Sequence, residues 1–295
     1  MSAASRLREL VGGDGIVVAP GVYDGLSARI AEAAGFSVLY CSGGAVARSS
    51  GVPDLGLLTM TEVLARLREV IDATSLPVIA DADTGYGNAV NVVRTVREFE
   101  RLGAAAIHLE DQVAPKKCGH YSGQRLVSPE EMVQKVRAAV ETRKEMLIIA
   151  RTDARGQAGI EEAIRRGRMY ADAGADIVFV EAPISREELE IIARSVEAPL
   201  LVNMFEGGRT PLLPAADLAA MGYRIMVVPS DLQRAAIRAM QEVAGVLRRD
   251  GSSAAVRDRL ATFAERDAAV DLAAWTELDN RYAETISAGT EPVGG

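Results

Sequence analysis

Residues Ala104–Met132, AAAIHLEDQVAPKKCGHYSGQRLVSPEEM, combine a strand, a carboxylate pair, a thiol and a helix start in one continuous run. The apolar beginning of this run is typical of a buried strand, which places Glu110 at its C-terminal end. Ser128 is a good N-cap and Pro129 suits the first position of a helix, so a helix is predicted to begin there. The polar segment between strand and helix is therefore a loop with two fixed ends.

Short apolar runs of the same kind recur along the chain. The eight strand candidates are Gly15–Ala19, Ser37–Cys41, Pro77–Asp81, Ala104–Leu109, Met146–Arg151, Ala175–Glu181, Ala198–Asn203 and Tyr223–Val228. Amphipathic stretches with helical spacing separate them, and strands that are apolar on both faces are typical of parallel sheets. This alternation predicts an α/β fold of the (β/α)8 TIM-barrel type, with an open doubly wound sheet as the alternative.

The barrel is predicted to occupy residues 1–250 as the catalytic domain. Residues 251–295 show helical periodicity, with Val256–Ala264 and Ala268–Ile286 as candidate helices, and contain the only tryptophan, Trp275. They are interpreted as a C-terminal helical extension of the same domain.

Composition and charge exclude several classes of function. The net charge of -8 and the absence of a Lys/Arg block argue against nucleic acid and membrane surfaces as partners. No signal-peptide core is present, and no stretch approaches the roughly 20 apolar residues of a spanning helix. The two cysteines, Cys41 and Cys118, lie on a predicted strand end and a loop, which argues against a disulfide framework. We therefore expect a cytoplasmic protein.

Polar side chains follow the predicted strands repeatedly at one end. They include Ser42, Asp81, Asp83, Glu110, Asp111, Arg151, Asp153, Glu181, Asn203 and Ser230. In a barrel these strand ends converge on one face, so residues distant in sequence are expected to meet there. General loop polarity explains poorly why carboxylates stand directly against apolar runs at Asp81 and Glu110, where a desolvation cost must be offset.

The residues available for a metal are oxygen ligands. Only two histidines and no CxxC pair are present, which excludes the usual zinc sites. Asp81, Asp83, Asp54 and Glu110 are predicted to form a carboxylate cluster that suits Mg2+, with Mn2+ as a substitute. For Asp54 alone, capping a turn or pairing with an Arg or Lys is an equally good interpretation.

Cys118 lies in an electropositive, glycine-containing segment between Lys116-Lys117 and Gly119-His120. Neighbouring ammonium groups should lower the pKa of the thiol, which suits an acid or a base. As a nucleophile the thiol needs a base such as His120, whereas as a proton donor it needs only a nearby carbanion. Lys116 is either an exposed charge or electrostatic support for an anionic substrate.

Arg151 ends an otherwise apolar strand, and a buried guanidinium needs a carboxylate partner, which is Glu181 or the substrate. Ser42, Gly43 and Gly44 offer backbone N–H groups that fit a substrate carboxylate better than a diphosphate. No complete dinucleotide fingerprint, Walker sequence or nucleophile elbow is present, which argues against nucleotide use.

The sequences KKCGH (116–120), HLEDQ (108–112) and DADTGYG (81–87) resemble the isocitrate lyase and phosphoenolpyruvate mutase superfamily, particularly its short-chain lyases of the 2-methylisocitrate and 2,3-dimethylmalate type. The resemblance covers residues 17–248. It implies that the acidic cluster binds Mg2+ partly through water, that Cys118 is a proton donor, and that Asn203 and Arg234 contact substrate. It also implies C-terminal helices exchanged between subunits, giving a homo-oligomer of swapped dimers paired into tetramers.

These observations lead to the hypothesis of a Mg2+-dependent carbon–carbon lyase acting on a 2-hydroxy di- or tricarboxylate. The products would be a 2-oxo acid, such as pyruvate or glyoxylate, and a carboxylic acid. The general base stays open between Tyr40, Glu181 and a group linked to Arg151. Arg151 and Asn203 would stabilise the enediolate, which Cys118 would protonate.

Three alternatives to this hypothesis stay open. Within the same superfamily they are an oxaloacetate hydrolase or decarboxylase and a phosphonate enzyme that breaks a phosphorus–carbon bond, although the Cys-Gly-His sequence argues against the mutases. Outside it, the barrel would bind a dicarboxylate without turnover. Residues 203–211, NMFEGGRTP, resemble the dimethylmalate branch more than the methylisocitrate branch.

Overall fold

The structure, a computed structural model, describes residues 1–119, 121 and 123–288, with side chains described as far as residue 283. In this part of the chain, parallel strands close into one barrel in sequence order. The strands are β1 Val17–Val22, β2 Leu39–Cys41, β3 Val78–Asp81, β4 Ala106–Glu110, β5 Leu147–Thr152, β6 Ile177–Val180, β7 Leu200–Asn203 and β8 Tyr223–Val228. The predicted TIM-type barrel is confirmed, and the open-sheet alternative is wrong because β8 pairs with β1.

The first strand differs most from its prediction. It begins at Val17, after Gly15 with its left-handed φ of 92°, and it extends to Val22, beyond the predicted end at Ala19. Gly21 is required there, since a Cβ at this position would lie 2.1 Å from the carbonyl oxygen of Pro229. The chain after β8 thus packs directly on the end of β1.

Helices surround the barrel and connect its strands. They are α1 Ala3–Gly12, α2 Gly25–Ala33, α3 Gly43–Ser49, α4 Met60–Asp72, α5 Ala89–Leu102, α6 Pro129–Thr142, α7 Ala154–Ala158, α8 Ile160–Asp172, α9 Arg186–Ser195, α10 Ala215–Met221 and α11 Asp231–Asp250. Helix α6 begins where the sequence predicts, because Ser128 Oγ accepts the N–H of Glu131 at 3.1 Å and Pro129 opens the first turn. None of the described helices is long and apolar enough to span a membrane.

The chain divides into two compact units, Met1–Ala236 and Ile237–Gly295. The described part of the second unit contains the end of α11, a 3-10 helix at Ala254–Arg259, α12 Phe263–Ala268 and α13 Leu272–Ala288. The predicted helix at Val256–Ala264 is wrong in its bounds, because Thr262 caps a new helix by accepting the N–H of Glu265. The domain boundary after residue 250 and subunit exchange stay predictions.

Apolar side chains close the N-terminal end of the barrel, and buried charged side chains lie at its other end. Helix α1 buries Leu7 and Val11 in the same cluster as Val17 and Val38, which lie where strands begin. The N-terminal end of the barrel is therefore covered by apolar packing. Charged side chains are instead buried at the carboxyl ends of the strands, the face at which TIM barrels carry their sites.

Asp111, directly after β4, is the centre of a buried network below the loop that follows it. Its carboxylate accepts hydrogen bonds from Thr152 Oγ1 at 2.7 Å, Tyr170 Oη at 2.8 Å and Arg166 Nη1 at 3.0 Å. It also accepts the backbone N–H of Asp153 at 2.9 Å, and its side chain is completely buried. The network joins β4 to β5 and α8.

Replacing Asp111 by alanine is expected to lower the free energy of unfolding by about 3–5 kcal/mol, because it leaves the buried Arg166 charge without this carboxylate. Chemical denaturation followed by circular dichroism would measure the change. In the control Glu98→Ala, loss of the exposed ion pair with Arg101 should cost about 0–1 kcal/mol. Equal, small losses in both variants would show that the network does not stabilise the barrel.

Candidate active site at the carboxyl ends of the strands

Arg151, at the end of β5, lies among three buried carboxylates from neighbouring strand ends. Its Nη2 is 2.8 Å from Asp153 Oδ1 and 3.3 Å from Glu181 Oε2, and its Nε is 3.3 Å from Glu110 Oε2. Burial opposes the charged form, but these carboxylates raise the pKa of Arg151 well above its usual value. The predicted pairing with Glu181 is present, and the guanidinium is permanently charged.

Glu110 is the least solvated of these acids. Its side chain is completely buried, and no hydrogen bond reaches either carboxylate oxygen from the described residues. Burial raises the pKa of Glu110 well above its usual value, although Arg151 opposes the shift. Apart from the ion pair with Arg151, no contact from the described residues offsets the cost of burying this carboxyl group, and a bound cation would offset it.

Lys116, from the loop after β4, inserts its ammonium group between two of the predicted metal ligands. Nζ lies 2.6 Å from Asp54 Oδ1 and 3.0 Å from Asp83 Oδ1. Burial tends to lower the pKa of Lys116, but Asp83 and Asp81 raise it well above its usual value. Lys116 is therefore buried and charged, so the exposed-charge alternative for it is wrong.

Asp81, Asp83 and Asp54 line one small cavity. Burial tends to raise the pKa of Asp81, but His108, Lys116, Arg151 and the N–H of Asp83 lower it to about 2. Burial raises the pKa of Asp83 to about 6 against the opposing charge of Lys116. The cavity thus contains one firmly ionised carboxylate beside a second that is easily protonated.

His108 and Tyr40 lie below Asp81 as a hydrogen-bonded pair. Tyr40 Oη is 2.7 Å from His108 Nε2, which is 3.4 Å from Asp81 Oδ1. Burial lowers the pKa of His108 to about 4, so the imidazole is neutral at pH 7. Burial, followed by the charge of Asp81, raises the pKa of Tyr40 well above its usual value, which makes a phenolate base unfavourable.

The donors of this region fit a hard divalent cation. Gly43 leaves Asp81 accessible, since a Cβ at Gly43 would lie 2.5 Å from Asp81 Oδ2. Within the described residues, no three His, Cys, Asp or Glu side chains form a group that could hold a metal ion by themselves. A cation held by one or two carboxylates and several waters, the habit of Mg2+, matches this geometry.

The loop that bears Cys118 rests on the Arg151 cluster. A Cβ at Gly119 would lie 2.5 Å from Arg151 Nη2, 2.6 Å from Glu181 Cγ and 2.7 Å from Asp153 Oδ1. The N–H of Cys118 donates to the carbonyl oxygen of Asp54 at 3.3 Å. The half-buried thiol segment therefore lies between the acidic cavity and the arginine.

Two glutamines hold this loop through their amide groups. Gln112 Oε1 accepts the N–H of Lys117 at 2.9 Å, and its Nε2 donates to the carbonyl of Lys117 at 2.8 Å. Gln124 Nε2 donates at 2.8–3.0 Å to three loop carbonyls, those of Cys118, Gly119 and Tyr121. Neither glutamine was predicted, because a neutral amide leaves no charge or spacing signal in a sequence.

The other predicted substrate-binding residues are distributed unevenly. Asn203 joins the cluster, with Nδ2 3.5 Å from Glu181 Oε2, and no hydrogen bond from the described residues reaches its buried Oδ1. Ser42 Oγ caps α3 by accepting the N–H of Ala45 at 3.3 Å. Gly44 is close to the acidic cavity, since its Cβ would lie 2.8 Å from Asp54 Oδ2. His120 lies outside the described residues.

Arg234, on α11, is not brought into the cluster. Its side chain is half exposed, donates to the carbonyl of Glu206 at 2.6 Å and lies 3.6 Å from Asp231. Its substrate contact stays a prediction. Conversely, Asp153 belongs to the cluster although it was only noted as a strand-end acid, and its position two residues after Arg151 is the signal that identifies it.

Comparisons with known proteins agree with this architecture. The family model described as phosphoenolpyruvate phosphomutase matches residues 7–248. The chain is 48% identical to 2,3-dimethylmalate lyase of Eubacterium barkeri over 286 residues, covering 96% of this chain and 99% of the relative. It is 48% identical to 2-methylisocitrate lyase of Aeropyrum pernix over 278 residues, covering 94% and 89%.

Solved structures extend the likeness to the whole fold. A crystal structure of 2,3-dimethylmalate lyase superposes with a TM-score of 0.91 at 40% identity, covering 99% of both chains. Oxaloacetate acetylhydrolase with 3,3-difluorooxalacetate also gives 0.91, at 38% identity over 96% of this chain and 97% of the other. Phosphonopyruvate hydrolase with oxalate and Mg2+ gives 0.87, at 32% identity over 96% and 100%.

Proposed function

The chain belongs to the phosphoenolpyruvate mutase/isocitrate lyase superfamily and has lyases among its close homologues, and we propose that it is a Mg2+-dependent lyase that cleaves a carbon–carbon bond in a 2-hydroxy di- or tricarboxylate. The observation that carries the proposal is the position of Gly119, whose backbone lies so close to Arg151 and Glu181 that the loop bearing Cys118 rests on this cluster. A proton donor, fixed cations and a carboxylate-lined cavity are thereby combined at one barrel mouth.

One or two of the carboxylates Asp81, Asp83, Asp54 and Glu110 would hold the cation directly, and the others would act on it through water molecules. Bound there, Mg2+ supplies positive charge that lowers the pKa of the 2-hydroxyl group of the substrate. Lys116 already neutralises part of the acidic cavity, through Asp54 and Asp83. Its ammonium group thus reduces repulsion between this cavity and an incoming dicarboxylate.

The base that removes the hydroxyl proton belongs to the Arg151 cluster. Tyr40 is a poor choice, because burial raises its pKa well above the usual value and its hydroxyl pairs with His108. Glu181 and the Arg151-linked Asp153 remain as candidates, and both lie against Gly119. With Glu181 or Asp153 as the base, the proton taken from the substrate hydroxyl would stay within the Arg151 cluster, on which the Cys118 loop rests.

The charge that develops after bond cleavage is stabilised by Arg151 and Asn203. Arg151 is held rigidly by Asp153 through two hydrogen bonds, at 3.1 and 2.8 Å, so it needs no reorganisation during the reaction. Asn203 adds an amide next to Glu181. Cys118 then delivers a proton to the carbanion, and the loop must open to release the products.

The preferred substrate is of the 2,3-dimethylmalate type, supported by residues 203–211, whereas the 48% identity is shared by 2,3-dimethylmalate lyase and 2-methylisocitrate lyase and does not separate the two substrates. A second candidate is oxaloacetate hydrolysis, supported by the TM-score of 0.91 to oxaloacetate acetylhydrolase. Phosphonate chemistry has less support, because the chain carries Cys-Gly-His at 118–120.

A panel of carboxylates would test the function directly. The purified protein is incubated with Mg2+ and 2,3-dimethylmalate, 2-methylisocitrate, oxaloacetate or phosphonopyruvate, and pyruvate, glyoxylate and oxalate are measured. Pyruvate from a 2-hydroxy acid is the expected result, whereas oxalate from oxaloacetate would favour the second candidate. No Mg2+-dependent product from any compound would support a barrel that binds dicarboxylates without turnover.

Asp81→Asn is expected to raise the Mg2+ concentration for half-maximal activity by roughly tenfold or more, because it removes the carboxylate that stays ionised in the cavity. Activity measured across a Mg2+ titration checks this effect. The control Asp72→Asn alters an exposed acid at the end of α4 and should leave the Mg2+ requirement unchanged. Equal Mg2+ dependence in both variants would remove Asp81 from the cation site.

We also propose that the chain forms a homo-oligomer in which C-terminal helices are exchanged between subunits. Its proposed location is the cytoplasm. Support for the assembly comes from aromatic residues of the second unit that are exposed in the single chain, namely Phe263, Trp275 and Tyr282. Sedimentation velocity should therefore find dimers or tetramers, and a monomer at micromolar concentration would contradict the exchange.

A further inference from the structure

Tyr86, in the turn between β3 and α5, has a buried hydroxyl group with no hydrogen-bond partner among the described residues. The ring itself is firmly placed, since it stacks on Phe99 with a centroid separation of 6.5 Å and packs against the main apolar cluster. Its backbone has a φ of 58°, a conformation that is rare for a bulky residue. The chain therefore holds a hydroxyl group rigidly at a place where none of the described residues forms a hydrogen bond with it.

An unpaired buried hydroxyl costs about 1–3 kcal/mol, whereas phenylalanine would provide the same ring without that cost. Other buried tyrosines in the described chain do have partners. Tyr40 pairs with His108, Tyr170 donates to Asp111 and Tyr223 donates to the carbonyl of Leu189. The exception at Tyr86 indicates a partner outside the described residues, such as a water molecule.

The surroundings of Tyr86 define the chemistry of that partner. Tyr86 lines the same small cavity as Asp54, Asp81 and Asp83. Burial, followed by the charges of Asp83 and Asp81, raises its pKa well above the usual value, so the hydroxyl keeps its proton. The Tyr86 hydroxyl can therefore donate a hydrogen bond to the oxygen of a ligand, such as a water molecule, that also contacts a cation in this acidic cavity.

We propose that Tyr86 is a further positioning residue of the cation site, and that its hydroxyl donates to a water molecule that accompanies the divalent cation in this cavity. The proposal rests on the proposed cation dependence. Hard divalent cations keep several waters, and groups that orient such outer ligands typically change metal affinity 10–100-fold. Tyr86 would thus contribute to cation binding without touching the cation.

Mn2+ binding to Tyr86→Phe tests this role without an activity assay. Chelator-treated wild type and variant are titrated with Mn2+ by isothermal calorimetry, and Tm is measured with and without Mn2+. The variant is expected to bind Mn2+ roughly tenfold more weakly. Its Tm without metal should equal or exceed that of the wild type, because the change removes an unpaired hydroxyl, while the Mn2+-induced rise in Tm should shrink.

Tyr223→Phe is the matched control, because it removes a buried hydroxyl that does have a partner, at 3.2 Å, and because Tyr223 lies at the start of β8 whereas Asp81 lies at the opposite, carboxyl end of β3. It should lower Tm and leave the Mn2+ affinity unchanged. Wild-type Mn2+ affinity in Tyr86→Phe would overturn the role of Tyr86 while leaving the cation site intact. Failure of the wild type to bind Mn2+ would overturn both the role and the cation dependence on which it rests.

Discussion

Cys118→Ser is expected to lower kcat by about 10²- to 10⁴-fold and to leave KM nearly unchanged, because it removes an acid that acts only when the carbanion forms. A serine hydroxyl has nearly the size of the thiol but is a far weaker acid. The N–H of residue 118 should keep its hydrogen bond to Asp54, so the loop itself should stay in place. Steady-state kinetics of pyruvate release from the best substrate would measure the loss.

The other cysteine of the chain supplies the control. Cys41 is buried, and burial raises the pKa of its thiol to about 12, so it is neither accessible nor ionised at neutral pH. Cys41→Ala should therefore keep most of the activity, and iodoacetamide should inactivate the wild type and Cys41→Ala at similar rates. Full turnover by Cys118→Ser would exclude the thiol from the chemistry.

The fold could be predicted from the sequence because each strand is a short apolar run, the pattern of a strand that is buried on both faces. Segments such as residues 146–150 are apolar throughout, and in the barrel they are completely enclosed between α-helices and the interior. The bounds were less predictable where backbone geometry outweighs hydrophobicity. Gly21 is an example. It lies inside β1, and the backbone of Pro229 comes so close to it that no side chain would fit there.

The charged part of the site was predictable for a similar reason. Asp81, Glu110 and Arg151 stand at the ends of apolar runs, and a charged side chain buried there needs a compensating contact inside the fold. Contacts made by neutral groups left no such mark. The amide of Gln124, which holds three carbonyls of the Cys118 loop, resembles any surface glutamine when only the sequence is known.

Lys116 shows why charge in a loop is hard to interpret before its neighbours are known. Two consecutive lysines, Lys116 and Lys117, follow the same apolar strand, yet only Lys116 is buried. It reaches Asp54, a residue from a different loop, and no pattern in the sequence connects the two. The pairing joins the Cys118 loop to the acidic cavity and places a neutralising charge there.

Gly119→Ala should lower kcat by about 10²-fold without unfolding the protein, because it prevents the Cys118 loop from resting on the Arg151 cluster. The added methyl group would lie 2.5–2.7 Å from Arg151, Glu181 and Asp153, all of which are buried. Since mutual ion pairs hold these side chains, the loop has to move rather than its neighbours. A displacement of about 1 Å is enough to misplace the thiol, and reactions are that sensitive to geometry.

Folding should be unaffected by this change, since the φ of Gly119 is not in the left-handed region and alanine can adopt its backbone conformation. Gly12→Ala is the matched control, because a Cβ there meets no atom within 4 Å. Both variants should therefore unfold at the wild-type temperature, and only Gly119→Ala should lose turnover and let iodoacetamide reach Cys118 faster. Wild-type kcat in Gly119→Ala would mean that bond cleavage does not need this closed loop, and the link between Cys118 and the arginine cluster would then fail.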